Sequence, residues 1–174
     1  MTEEQQMLRD SAARYLQDNY DFNERLARIA AGSHLGEAHW RAFAEMGWLA
    51  MPLPEAAGGF GFGMQEAAII AETFGRHLVV EPLVESAVLC GGFLANEAVA
   101  GSDAILEQIG TGEAILAFAN EEPGRVTAPG RLQTIAEAAA GGYRLRGSKR
   151  YVVAGAVATH YLVTGRLDGE PACF

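Results

Sequence analysis

Two adjacent glutamates, Glu121 and Glu122, precede Pro123 at the end of an apolar run that begins at Ile115. Paired carboxylates can divide acid and base roles when both face one substrate. Neighbouring residues of a strand point to opposite faces, so these two do not form one acid–base pair. The stretch is interpreted as a loop at the rim of a barrel.

A glycine-rich segment, Gly58-Gly-Phe-Gly-Phe-Gly63, has the composition of loops whose backbone amides approach a phosphate. It follows no predicted strand, and Glu66 stands where the G-x-G-x-x-G pattern from Gly61 requires its third glycine. No Lys-Ser or Lys-Thr pair follows it either. The segment is predicted to be a structural loop that caps the next helix.

Histidine and cysteine spacing indicates neither a metal site nor a nucleophile. These residues are dispersed along the chain: His34, His39, His77, His160, Cys90 and Cys173. No pair has the i, i+4 histidine spacing of H-E-x-x-H or the C-x-x-C spacing of a zinc site. Surface or capping roles are predicted for His34 and His39, and Cys90 is predicted to lie on the buried face of a helix.

The first part of the chain has the apolar spacing of amphipathic helices. Thr2 and Gln5 form a capping-box pattern, a left-handed glycine cap is predicted at Gly32, and the third helix is predicted to end near Gly47. Six helices are predicted, and their inward residues include Leu26 and, after Pro82, the series Leu83, Ala87, Cys90 and Leu94. Leu49 to Pro54 is predicted to be extended because of its two prolines, and Ser102 is predicted to cap the last helix.

From Ile115 the pattern changes to that of strands separated by glycine turns. Strands are predicted from Ile115, over Leu132 to Ala139, after Gly141 and over Thr159 to Thr164, with a hairpin turn at Asp168-Gly169. The predicted fold class is therefore α+β, with a helical domain over residues 1–112 and a partial β-barrel domain over 113–174. A strand after the last turn would lack partners, so a fragment of a longer protein is expected.

Composition narrows the classes of function. A formal net charge of -9 and a pI near 4.9 oppose nucleic-acid binding, and the basic run from Arg144 to Arg150 is interpreted as a solvated turn. No stretch approaches the roughly 18 apolar residues of a membrane span. The N-terminus lacks the features of a secretory signal, so a cytoplasmic location is predicted.

The order of these features resembles the acyl-CoA dehydrogenases, flavoproteins that introduce an α,β double bond into acyl-CoA thioesters. The resemblance covers the whole chain. It is carried by the stretches Trp40 to Gly59, Phe118 to Pro123, Gly142 to Lys149 and Ala158 to Arg166.

The family resemblance implies a subunit of three parts: a helical domain, a middle β-barrel domain and a C-terminal helical bundle. The bundle supplies the carboxylate base that removes the α-proton while flavin N5 takes the β-hydride. No catalytic residue is therefore expected in this chain, and the 174 residues alone are expected to be inactive.

FAD is the cofactor that the resemblance implies. The implied flavin-contacting positions are Phe118, Asn120, Glu121, Tyr151 and Val153, and Thr127 is the implied contact of the acyl-CoA substrate. Glu121 stands where the family has the threonine of Thr-Glu-Pro, and Val153 stands where it has the threonine of Lys-x-Trp-Ile-Thr. Two flavin-facing hydroxyls are thus replaced, while Tyr151 keeps an aromatic ring in place of the tryptophan.

Two functional interpretations follow. In the first, the chain resembles the small subunit of heteromeric bacterial members such as pimeloyl-CoA dehydrogenase, with a dicarboxylic or sterol-derived acyl substrate and flavin in the partner's barrel. In the second, it is a non-catalytic interaction subunit that packs on a true acyl-CoA dehydrogenase. Both imply a homo- or hetero-oligomer with another subunit of the family.

Overall fold

A computed structural model describes residues 1–96, 99, 101–124 and 131–174. Its first part consists of helices: α1 Glu3–Asn19, α2 Phe22–Ala30, α3 Glu37–Glu45, a 3-10 turn Glu55–Ala57, α4 Met64–His77, a π-helix Val84–Cys90 that continues into α5 Gly91–Asn96, and α6 Ser102–Gly110. No helix of the described part is long and apolar enough to cross a membrane. The cytoplasmic location stays a prediction.

Local sequence signals account for most helix ends. Thr2 and Gln5 form a reciprocal capping box at the start of α1, as predicted. Gly32 and Gly47 adopt left-handed φ angles of 79° and 75° after α2 and α3, which confirms both predicted glycine stops. The prediction that Ser102 caps α6 is wrong, because Gly101 is the N-cap and Ser102 is the first helical residue.

The glycine-rich loop is structural, as predicted. Backbone N–H groups of Phe60, Gly61 and Phe62 donate to the carbonyls of Ala50, Leu53 and Met51, respectively. These amides are therefore already used within the protein and are not free to cradle a phosphate. The loop ends at Gly63, the N-cap of α4.

The segment Leu49 to Pro54 is not extended, contrary to the prediction. It forms consecutive turns, in which the Met51 N–H donates to the Gly47 carbonyl and the Leu53 N–H donates to the Ala50 carbonyl. Residues 48–51 are all buried, and an extended chain would point alternate side chains to opposite sides. Burial of successive residues thus overrides the local bias of the prolines.

The prediction that Leu26 faces inward is also wrong, since its relative exposure is 46%.

The second part is a sheet of β1 Leu116–Ala119, β2 Ile135–Ala139, β3 Gly142–Arg146, β4 His160–Leu167 and β5 Glu170–Cys173. The strand order is β1-β4-β2-β3, with β5 also paired to β4. The β2–β3 and β4–β5 pairs are antiparallel hairpins, and Asp168 and Gly169 both have positive φ in the second turn, as its sequence predicts. The parallel pairing of β1 with β4 was not predicted. The prediction of a helical part followed by strands is confirmed.

Two hydrophobic clusters form the core. The first joins α1, α3 and α4 through an aromatic group that includes Trp40, Phe43, Trp48 and Phe74. The second joins helices and sheet, with Leu53, Cys90 and Ile109 packed against Leu116 and Leu162. The helical part and the sheet therefore share buried surface.

Candidate functional site

The structure brings the five predicted flavin-contacting residues together. They line one cleft of about 270 Å³, which we call the small cleft: Phe118, Asn120, Glu121, Tyr151 and Val153. The remaining lining residues, Val84, Glu85 and Leu89, come from the π-helix. Thr127, the predicted substrate contact, lies outside the described residues. The small cleft is thus the meeting point of the helical part and the sheet.

A buried lysine holds the backbone behind the small cleft. The Lys149 ammonium donates to the Asn120 carbonyl at 3.1 Å, to Glu122 Oε1 at 2.9 Å and to Thr164 Oγ1 at 3.0 Å. The Thr164 hydroxyl in turn donates to Asn120 Oδ1 at 3.0 Å. The interpretation of the basic run as a solvated turn is wrong for Lys149, whose side chain is 9% exposed. A lysine at this depth requires a paired carboxylate.

Glu122 supplies that carboxylate. It also accepts hydrogen bonds from the Gln133 and Thr134 backbone N–H groups and from the Thr134 hydroxyl. Burial alone would raise the pKa of Glu122, but the hydrogen bonds from Lys149, Thr134 and Gln133 outweigh it and lower the pKa to about 2. Glu122 is therefore ionised at neutral pH and acts as a structural anion. We call this group, with Lys149, Thr134 and Thr164, the Glu122 network.

Glu121 is half-buried and lines the small cleft, whereas Glu122 is buried in its network. The backbone carbonyl of Glu121 accepts a hydrogen bond from the Arg150 N–H at 2.9 Å, which joins the two segments that carry the predicted site. The sequence argument that adjacent glutamates do not form one acid–base pair therefore agrees with the opposite surroundings of the two side chains.

Tyr151 occupies an unusual backbone conformation at the edge of the small cleft. Its φ of 52° lies in the left-handed region, which is uncommon for a residue other than glycine. Its ring is 78% exposed, and the Arg150 guanidinium lies 4.8 Å from the ring centroid. Cation–π contact of this kind holds an exposed ring in place. Tyr151 thus presents an aromatic surface to the cleft, as the family resemblance implies.

The polar groups of the small cleft do not fit a flavin. Glu85 and Glu121 bring two carboxylates to it, and Val153, which is 60% exposed, offers no hydrogen-bond donor. A carboxylate accepts hydrogen bonds but does not donate them, and its charge opposes the anionic form of a reduced flavin. The positions at which the family resemblance implies flavin contacts therefore lie in one cleft, while Glu85, Glu121 and Val153 are unsuited to a flavin there.

A second buried carboxylate lies in the helical part and was missed in the sequence. Glu81 accepts hydrogen bonds from the Tyr20 hydroxyl at 2.7 Å, from Arg28 Nη2 at 2.9 Å and from the Gly36 N–H at 2.9 Å. The signal that could have revealed it is one acid between the apolar run Leu78-Val-Val80 and Pro82. Such a residue requires partners elsewhere in the chain. We call this group the Glu81 network.

The remaining titratable candidates are structural. His39 is half-buried among aromatic rings rather than on the surface, and burial lowers its pKa. Cys90 is fully buried, and burial raises its pKa to about 12, so its thiol is unreactive at neutral pH. Within the described ranges, no group of three or more His, Cys, Asp or Glu side chains is placed to hold a metal ion.

A helical part joined to a sheet, with a cleft at their junction, is the architecture expected of an acyl-CoA dehydrogenase. The sequence profile of the acyl-CoA dehydrogenase N-terminal domain matches residues 2–104. This match covers more than half of the 174 residues, and the chain belongs to the acyl-CoA dehydrogenase family.

Known relatives extend the similarity into the sheet. The chain is 33% identical over 138 residues to acyl-CoA dehydrogenase FadE27 of Mycobacterium tuberculosis, covering 78% of this chain and 35% of that protein. It superposes on the Tcur3481-Tcur3483 steroid ACAD with a TM-score of 0.87 and 31% identity, covering 99% of this chain and 47% of the other. It superposes on the ChsE4-ChsE5 complex from Mycobacterium tuberculosis with a TM-score of 0.84 and 27% identity, covering 100% of this chain and 47% of the other. The chain thus spans half or less of the length of these relatives.

Proposed function

We propose that this chain is part of a subunit of a heteromeric, FAD-dependent acyl-CoA dehydrogenase, whose complex oxidises an acyl-CoA thioester to the 2,3-enoyl-CoA. The flavin in this proposal is bound by the barrel of the partner subunit. The observation that carries it is the contrast at residues 118–153: the Glu122 network keeps the backbone of the site in place, while Glu121 and Val153 occupy the two positions at which the family resemblance implies threonine hydroxyls.

Two similar structures support the heteromeric part of the proposal. One is described as the Tcur3481-Tcur3483 steroid ACAD and the other as the ChsE4-ChsE5 complex, so both names join two components. Membership of the family supports the reaction type. Removal of a proton and a hydride from a C–C bond requires base, thioester and flavin to be held together. We therefore expect the 174 residues alone to be inactive.

The test is co-expression of the full-length protein that contains this chain with candidate large subunits of the same family. The complex is purified through a tag on this protein, and bound flavin and acyl-CoA oxidation are measured. The proposal predicts a yellow, active complex and a colourless protein when the partner is omitted. A homo-oligomer that purifies yellow and oxidises acyl-CoA without a partner would contradict the proposal.

A non-catalytic interaction subunit is the second candidate, and the same two substitutions favour it. The two candidates differ in what the partner does alone. If the flavin-containing partner oxidises acyl-CoA at the same rate with and without this protein, the interaction role is correct. If activity requires both proteins, the dehydrogenase-subunit role is correct.

A further inference from the structure

The small cleft adjoins a larger one. Val84, Glu85 and Val153 line both, and the larger cleft has a volume of about 560 Å³. We call it the large cleft. It lies between α4, the segment Val79 to Pro82 and the loop over residues 152–157. Glu85 is therefore the charged side chain at the boundary between the two clefts.

The walls of the large cleft are mostly apolar. Ile29, Phe74 and Val79 contribute on the helical side, and Val152 and Val157 contribute on the side of the sheet. Its volume falls within the range of about 300–1,000 Å³ that is typical of small-molecule sites. An apolar chain or ring system is the class of ligand that such walls stabilise.

Three polar side chains also line the large cleft: His34, Glu81 and Glu85. Glu81 is already used, because Tyr20, Arg28 and Gly36 donate to its two oxygens. Glu85 is half-buried, and among the residues that the structure describes no hydrogen bond or ion pair to its carboxylate is found. Glu85 therefore places an uncompensated negative charge where the two clefts meet.

We propose that the large cleft binds the apolar end of a neutral acyl group and that Glu85 excludes acyl groups ending in a carboxylate. A second carboxylate brought past Glu85 loses hydration and meets a like charge in apolar surroundings. A hydroxyl or an apolar end meets no such penalty, and a hydroxyl can donate to Glu85. CoA as the carrier of the acyl group rests on the proposed function. The inference concerns binding and not oxidation, because the small cleft does not fit a flavin.

The test compares two thioesters of equal chain length, octanoyl-CoA and suberoyl-CoA, which differ by the terminal carboxylate. Their affinities for the protein are measured by calorimetric titration near pH 8, at the upper end of the interval of about pH 5–8 in which histidines ordinarily change charge. Octanoyl-CoA is expected to bind at least about tenfold more tightly than suberoyl-CoA. Glu85→Gln is expected to tighten suberoyl-CoA, so that the two affinities agree within about twofold, and to leave octanoyl-CoA unchanged.

Glu113→Gln is the matched control, because Glu113 is exposed and lines neither cleft. It removes the same charge and should leave the affinity ratio at the wild-type value. If octanoyl-CoA binds but Glu85→Gln does not change the ratio, the role of Glu85 is overturned and the proposed function stands. If neither thioester binds, the inference as a whole is overturned, whereas the proposed heteromer is decided separately by co-purification.

Discussion

Glu121 and Glu122 are adjacent in the sequence but have different surroundings. Glu122 is 5% exposed, is paired with Lys149 and has a pKa lowered by its hydrogen bonds to about 2. Glu121 faces the small cleft, at the position where the family resemblance implies a flavin contact. The buried side of this stretch thus keeps the frame of the fold, while the cleft side has changed. The proposed loss of flavin binding rests on this contrast between two neighbouring residues.

The largest effect should come from breaking the Glu122 network. Lys149→Met removes the cation from a buried ion pair and three hydrogen bonds, and is expected to lower the free energy of unfolding by about 3–5 kcal/mol. Urea denaturation followed by circular dichroism measures this change. The double variant Glu122→Gln/Lys149→Met should recover part of the loss. A loss below about 1 kcal/mol for Lys149→Met would place this pair among surface ion pairs and end the contrast with Glu121.

Acid should weaken the same network. Because the folded-state pKa of Glu122 lies below its ordinary value of 4.5, its contribution is fully present above about pH 4.5 and is lost as the pH falls through about 2. The lowering from 4.5 to about 2 corresponds to a contribution of about 3 kcal/mol. Glu122→Gln removes this titration, so between pH 6 and pH 3 its unfolding free energy should fall by about 2 kcal/mol less than that of the wild-type protein. Parallel pH dependences in the two proteins would contradict the assignment.

The Glu81 network should be somewhat less costly to disturb. Tyr20→Phe removes a hydroxyl that donates to Glu81 Oε2 and accepts from the Val80 N–H. The expected loss is about 1–3 kcal/mol in the free energy of unfolding, because a buried carboxylate oxygen and a backbone donor lose their partner. Tyr15→Phe is the matched control, since the Tyr15 hydroxyl makes only a 3.4 Å contact with His39 within the described residues. Equal losses in the free energy of unfolding of the two variants would show that the hydrogen bonds of the Tyr20 hydroxyl contribute no more to stability than the Tyr15 contact does.

The smallest effect should come from restoring hydroxyls to the cleft side. Glu121→Thr/Val153→Thr returns the residue type that the family resemblance implies at both positions. Each new hydrogen bond is worth about 1 kcal/mol, or about fivefold in affinity. Titration with FAD, followed by flavin fluorescence, should show tighter binding by the double variant than by the wild-type protein. Val153→Ala, which adds no hydroxyl, should give no gain.

Local patterns in the sequence predicted the parts of the fold that local interactions decide. The Thr2 and Gln5 capping box and the glycine stops depend on neighbouring residues alone, and they are present as predicted. The burial of Lys149 and the Glu81 network depend on partners distant in the chain, since Arg28 and Glu81 are 53 positions apart. The spacing of apolar residues along the chain does not predict such distant pairs. The parallel β1–β4 pair is likewise set by contacts that span the intervening hairpin.

The candidate site shows the same division. The family resemblance selected five positions, and all five line one cleft. It did not indicate that Glu85 would add a second carboxylate, because Glu85 reaches the cleft through the packing of the π-helix against β1. Whether these five positions contact a flavin stays a prediction.

The flavin content of the purified complex tests the central claim most directly. The full-length protein is co-purified with its large-subunit partner, and FAD is counted against each polypeptide by absorbance and quantitative mass spectrometry. The account predicts FAD in proportion to the partner alone, with none retained by this protein after the subunits are separated under native conditions. FAD equal to the sum of both subunits, or retained by this protein alone, would contradict it.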